Sequence, residues 1–146
     1  MSNISIVSES IPSISYLKDI LDNDYVIDLE CWKQKQYSNN KKDKSLCKET
    51  ESFFSKFSKN EQFHTIHIVS EAPEHQDLLT NELDFVYLIP LKTNGNHVFF
   101  VENEEVILEE NKVYRFNQKL NHGLYSDIEN EEELEDAILL NVAFYK

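Results

Sequence analysis

Residues 83–117 read LDFVYLIPLKTNGNHVFFVENEEVILEENKVYRFN. Val, Ile, Phe and Tyr crowd into four short runs there, at 83–91, 97–102, 104–109 and 112–117. β-branched and aromatic residues fit a pleated, half-buried surface, so each run predicts a strand. Polar turns separate the runs. Thr93-Asn94-Gly95-Asn96 contains Asn-Gly, the strongest short hairpin signal, because both residues accept a left-handed backbone. Glu110-Asn111 predicts a second tight turn, with Asn111 able to take the left-handed conformation usually given to glycine.

Working outward, 64–69 (HTIHIV) and 137–145 (AILLNVAFY) predict two more strands. Several short strands at near-regular spacing predict a sandwich or barrel, not βαβ units. Toward the N-terminus, Ser13 could cap a helix carrying Ile14, Leu17, Ile20 and Leu21 at helical spacing. Tyr25, Ile27 and Leu29 alternate with polar neighbours and predict a short strand. Residues 33–48 (KQKQYSNNKKDKSLCK) form the only basic run and predict a solvated loop. Thr50 to Phe57 predicts a short helix with Phe53, Phe54 and Phe57 on one side. The acidic stretch 127–136 (DIENEEELED) predicts a solvated loop or edge turn, and it lacks a calcium-loop pattern. The expected organisation is one domain over 1–146, a helical and loop part at 1–60 packing on a β core at 61–146.

Composition narrows the function classes. The chain has 146 residues, 14 Lys plus Arg against 27 Asp plus Glu, and a net charge of -13. Only Arg115 is an arginine. A chain this long can bury about 68–70% of its unfolded surface, enough for a real core. The acidic balance speaks against nucleic acid, whose phosphates a binder must neutralise, and against anionic membrane surfaces. With 2 glycines there is no Gly-rich phosphate loop. Cys31 and Cys47 cannot make a four-cysteine zinc site, and a reducing cytoplasm is the expected compartment. The start, MSNISIVSESIPSIS, lacks a basic region and an apolar run, so no targeting segment is expected. No stretch approaches the ~18 apolar residues of a membrane span.

The sharpest chemical feature is His75-Gln76-Asp77. On an extended chain, residues i and i+2 point to the same side, so one imidazole and one carboxylate face a common point. His122 is the best candidate for a third ligand from a later strand. Two His and one carboxylate on one face leave three coordination positions open, the facial triad of non-haem Fe(II) oxygenases. The bland alternative makes His75 and Asp77 exposed loop residues after Pro73. His64 and His67, three apart on a strand, should lie on opposite faces, one of them half-buried and hydrogen-bonded. His97 is expected to be exposed, Cys31 a small core residue, Cys47 a loop thiol and Trp32 a core anchor. No Gly-x-Ser-x-Gly, His-Glu-x-x-His or paired-Cys motif occurs.

The order of these features over Glu74 to Asp127 resembles the aspartyl/asparaginyl β-hydroxylase family, including its free-proline hydroxylase relatives. The residues that carry the likeness are His75-Gln76-Asp77, Tyr87-Leu88-Ile89-Pro90-Leu91-Lys92-Thr93-Asn94, His97-Val98-Phe99-Phe100, Glu109-Glu110-Asn111-Lys112, Val113-Tyr114-Arg115-Phe116-Asn117 and His122. The resemblance implies a mainly β chain folded as a double-stranded β-helix (a cupin-like jelly roll) with one or two N-terminal helices. It implies Fe(II) held by His75, Asp77 and His122, with 2-oxoglutarate as co-substrate. The implied activity is hydroxylation of an amino acid or a peptide side chain, by an oxidoreductase that needs neither nucleic acid nor membrane.

One departure matters. The family places an Arg on the last strand, about ten residues past the distal His, for the far carboxylate of 2-oxoglutarate. Here residues 131–140 read EEELEDAILL and hold no cation. An unpaired buried carboxylate is costly, so another cation is needed. Lys92, with Thr93 or Tyr87 as a hydroxyl partner, and Arg115 are the two alternatives. Two rival readings stand beside the hydroxylase: a cupin-like protein that binds metal or a small ligand without oxygenase turnover, and a metal-free jelly roll acting through its acidic surface. An open sheet edge could also pair with a second copy, giving a homodimer.

Overall fold

A computed structural model of the chain describes residues 3–9, 27–28, 32–38, 48–75, 85–129 and 134–144. The helix expected from Ser13 to Leu21, both cysteines, and Gln76 and Asp77 lie outside the described residues. What is described is mainly β, with few helical residues. The strands are β1 (Ile4–Ser8), β2 (Ile27–Asp28), β3 (Trp32–Ser38), β4 (Gln62–Val69), β5 (Ala72–His75), β6 (Phe85–Lys92), β7 (His97–Val101), β8 (Glu104–Ile107), β9 (Val113–Asn117), β10 (His122–Ser126) and β11 (Ala137–Phe144). A helix, α1 (Lys48–Phe54), precedes β4. No described helix is long and apolar enough to cross a membrane.

The strands form two antiparallel sheets, a seven-stranded one in the order β1-β9-β6-β11-β4-β3-β2 and a four-stranded one in the order β5-β10-β7-β8. From β4 onward the chain steps between them: β4, β6, β9 and β11 lie in the large sheet, and β5, β7, β8 and β10 in the small one. Side chains of both sheets meet in one core, where Val86, Leu88, Phe116 and Leu139 of the large sheet pack with Phe99, Val101 and Leu124 of the small one. The alternate residues of the large sheet build a second core on its outer face, from Ile66, Tyr87, Ile89, Leu140, Val142 and Phe144. Phe54 of α1 covers that face and is fully buried. This explains the near-continuous apolar runs of β6 and β11. A strand buried on both faces loses the polar half of its alternation.

Several sequence expectations need correction. The Asn-Gly segment does not close a hairpin. β6 pairs with β9 and β11, β7 pairs with β8 and β10, so Thr93–Asn96 carries the chain from one sheet to the other. Gly95 still takes the left-handed backbone the turn demands, with φ 87°. The hairpin is β7–β8 instead, where Val101 faces Glu104 across Glu102-Asn103. Glu102 has φ 53°, an unusual value for a residue with a side chain. It is held there by two contacts to the loop before β10. Its N–H donates to the Asn121 carbonyl at 2.8 Å, and its Oε1 accepts from the Asn121 N–H at 3.1 Å.

The basic run 33–48 is also not all loop. Trp32–Ser38 forms β3 and pairs with β4 from Trp32 opposite Val69 to Ser38 opposite Phe63. Ladder hydrogen bonds use only backbone groups, so a polar strand can extend a sheet outward. Three more strands were not predicted: β1, which pairs with β9 at the edge of the large sheet, and β5 and β10 of the small one. β5 contains Pro73, which lacks a ladder donor, yet β5 is an edge strand and edges tolerate proline. β10 begins at His122 and contains Gly123. A Cβ at Gly123 would come within 2.6 Å of the Phe100 ring and 2.7 Å of the Ala72 carbonyl oxygen, so close packing demands a glycine here.

Candidate functional site

The fold brings together two of the sequence-predicted ligands. His75 ends β5, His122 begins β10, and the two are direct cross-strand partners. Their ring centroids lie 4.3 Å apart. His75 Nδ1 is 2.7 Å from the Pro73 carbonyl oxygen, and His122 Nδ1 is 2.8 Å from the Leu120 carbonyl oxygen. A carbonyl can only accept, so both Nδ1 atoms donate a hydrogen. Each neutral ring then carries its lone pair on Nε2, and the second-sphere carbonyl fixes both tautomer and ring orientation. The same local geometry, ring to carbonyl two residues back, produces this at both positions. The Asn121–Glu102 contacts anchor the residue just before His122. Phe116 packs against the His122 ring with centroids 4.9 Å apart, which shields that side from water.

These histidines open onto a cavity of about 90 Å³ between the sheets. Its walls are chiefly apolar, with Leu88, Phe99, Phe116 and Leu139 among them. Two polar residues line it from the large sheet, His67 on β4 and Asn141 on β11. Asn141 Oδ1 is buried and has no hydrogen-bond partner among the described residues. No Lys, Arg, Asp or Glu lines the cavity among the described residues. His67 and Asn141 did not stand out as site residues in the sequence. The signal that could have found them is strand parity, because Val69 and Leu139, two positions away from each, face the inter-sheet core.

Asp77 lies outside the described residues. Among the described residues no group of three or more His, Cys, Asp or Glu stands where it could hold one metal ion. The four side chains considered for the co-substrate lie elsewhere. Tyr87 belongs to the outer core, stacked on Phe57 with centroids 4.7 Å apart. Arg115, its cross-strand partner, sits over the Phe85 ring at 4.9 Å. Both have the parity opposite to Leu88 and Phe116, which face the cavity. Lys92 is exposed at the end of β6. Thr93 donates its hydroxyl to His97 Nδ1 at 2.8 Å, because His97 Nε2 donates to the Glu135 carbonyl at 2.8 Å and a neutral imidazole has one N–H.

His97 is therefore not exposed, as its place after a turn suggested. It is fully buried and ties the start of β7 to the chain before β11. His64 and His67 do lie on opposite faces of β4. His64 is fully buried in the outer core, where loss of hydration holds its pKa down at about 3, from 6.5.

No protein-family model matches the chain, and no curated protein matches it. Among solved structures, the crystal structure of IDO from Bacillus thuringiensis is similar, with a TM-score of 0.44 and 15% identity over 82% of this chain and 80% of that one. An HTH_3 family transcriptional regulator from Vibrio cholerae is similar over 59% of this chain, with a TM-score of 0.40 and 18% identity. The matched part spans 43% of the regulator's length. At these TM-scores neither likeness bears on function.

Proposed function

We propose that this chain is a non-haem Fe(II) protein, and that it works as a 2-oxoglutarate-dependent hydroxylase of an amino acid or peptide side chain. One observation carries the metal: two cross-strand histidines with Nδ1 fixed by backbone carbonyls, and so with Nε2 set as the ligating atom. That donor set fits a divalent first-row metal. Asp77, two residues past His75, is the third ligand in this reading. Fe(II) with 2-oxoglutarate and O2 supplies the oxidising power for C–H hydroxylation. The protein's residues hold the metal, seat the substrate against the apolar walls and keep water out. The strand order supports a double-stranded β-helix of the cupin-like jelly-roll kind, with β5 and β10 carrying the ligands. The acidic balance favours a small molecule or peptide as substrate over nucleic acid or membrane, and the cysteine usage fits a reducing cytoplasm.

A second reading has its own support. A dicarboxylate needs a cation at its far end, and neither Lys92 nor Arg115 lines the cavity. This favours a protein that binds metal or a small ligand without oxygenase turnover. One experiment separates the readings. The full chain is titrated with Fe(II) without oxygen, and then assayed for conversion of 2-oxoglutarate to succinate. Fe(II) binding that falls at least about tenfold in both His75→Ala and His122→Ala supports the metal site. Succinate formation supports the hydroxylase. Metal binding without succinate selects the second reading, and unchanged binding in both variants overturns both.

A further inference from the structure

The inter-sheet cavity has two chemically different ends. His75 and His122 stand on the small sheet, while His67 and Asn141 come from the large one. Between them the walls are apolar. The large-sheet end holds Asn141 Oδ1, buried and with no hydrogen-bond partner among the described residues. A buried carbonyl oxygen left unpaired costs free energy, so it calls for a donor, which an ordered water or a ligand can supply. Asn141 itself is half-buried, with its Oδ1 turned away from solvent. Its neighbours of the same parity on β11, Leu139 and Ala143, are buried and apolar.

We infer that the cavity takes a small ligand with a branched apolar body and a neutral carboxamide end, and that this end pairs with Asn141. Two physical points select a carboxamide. Oδ1 accepts, so its partner must donate, which a carboxylate cannot do. Turning the Asn141 amide over would offer a donor instead, but a carboxylate would then bring a full charge into a cavity whose described lining contains no Lys or Arg. A carboxamide carries donor and acceptor side by side, so it satisfies the Asn141 amide reciprocally without charge. An alcohol offers a donor but no such paired match. At about 90 Å³ the cavity matches about three waters at their liquid volume, so it encloses the amide end and adjoining carbon of a four-carbon amide while the rest lies toward its open side.

Isobutyramide, isobutyrate and 3-methyl-2-butanone share one body and differ at the end in question. Each is titrated into the full chain at pH 8 with EDTA present, so that carboxylate binding to a metal is not read. Amide and side-chain NMR shifts report the binding. Isobutyramide should bind at least about tenfold tighter than either of the others and should move the Asn141 side-chain resonances. Asn141→Leu should bring the three ligands to within about threefold of each other. Equal or tighter binding of isobutyrate or of the ketone overturns the inference, as does no binding of isobutyramide. Should Asn141→Leu not fold, the wild-type ranking and the Asn141 shifts decide alone. Because EDTA removes any metal, failure here leaves the iron reading standing, and failure of the iron reading leaves this one.

Discussion

Lowering the pH should destabilise this protein through His64, by an amount the structure sets. His64 lies fully buried on the outer face of β4, edge-on to Phe54 at 6.2 Å between ring centroids. Its Nε2 is 2.7 Å from Gln62 Oε1. Gln62 Nε2 donates to the Glu51 carbonyl at 2.9 Å and to Ser55 Oγ at 3.3 Å, so the Gln62 oxygen must face the histidine and accept from it. The ring is neutral when folded, and burial holds its pKa at about 3. In the unfolded chain it returns to the ordinary 6.5. Between those values the unfolded state binds a proton that the native state refuses. Stability is therefore fully present above pH 6.5 and falls as the pH drops toward 3. Each pH unit well inside that window removes about 1.4 kcal/mol, so the loss from pH 7.5 to 4.5 is about 3 kcal/mol. His64→Gln keeps a donor for Gln62 and removes the titration. Urea unfolding of both proteins at several pH values isolates the effect, since every other group titrates in both. Wild type should lose about 3 kcal/mol relative to His64→Gln between pH 7.5 and 4.5. Curves that stay parallel over that range would refute the reasoning, as would a His64 imidazole titrating near 6.5 by NMR.

Three further outcomes follow from the packing. Gly123→Ala should cost about 1–3 kcal/mol in urea unfolding, because the new methyl meets both the Phe100 ring and the Ala72 carbonyl. Phe100→Leu in that background should recover only part of the loss, since the backbone oxygen stays. At Asn111, with φ 67°, replacement by Gly should be neutral or stabilising, while Ala should cost about 1 kcal/mol relative to Gly, both read from the urea midpoint. His97→Leu should cost about 1–3 kcal/mol in thermal unfolding, because it removes the acceptor of the Thr93 hydroxyl and the donor to the Glu135 carbonyl.

The β class of this chain was legible because the runs at 85–92, 97–101, 113–117 and 137–144 are dense in residues that suit a pleated surface. Which strands pair was not legible. Asn-Gly predicts a tight reversal, and Thr93–Asn96 does reverse the chain. A reversal between sheets uses the same backbone conformations as one within a sheet, so the dipeptide cannot distinguish them. β5 and β10 were unreadable for a different reason. One carries Pro73 and the other Gly123, both strand breakers in general, and both tolerated here by an edge position and by a crowded neighbour. The site was half legible. A His at 75 and a His at 122 suggested a common point, and register places them directly opposite each other. His97 misled because a polar residue after a turn is usually solvated, and only the fold supplies the Glu135 carbonyl that lets it be buried.

Electrostatics ties the acidic composition to the neutral cavity. A net charge of -13 draws small cations toward the molecule and repels anions before any contact forms. The cavity lining acts in the same direction at short range, since its described residues offer imidazole nitrogens and an amide but no Lys or Arg. A divalent metal is favoured twice, by the field on approach and by the Nε2 lone pairs on arrival. A dicarboxylate is opposed on approach, and it would be accepted only if a bound metal restored positive charge at one of its ends. Its other end would still meet a lining with no described Lys or Arg. The readings therefore diverge on the organic ligand and not on the metal. Salt should expose this directly. Raising ionic strength screens the long-range field, so metal affinity should weaken while affinity for a dicarboxylate improves, and affinity for a neutral carboxamide should hardly change.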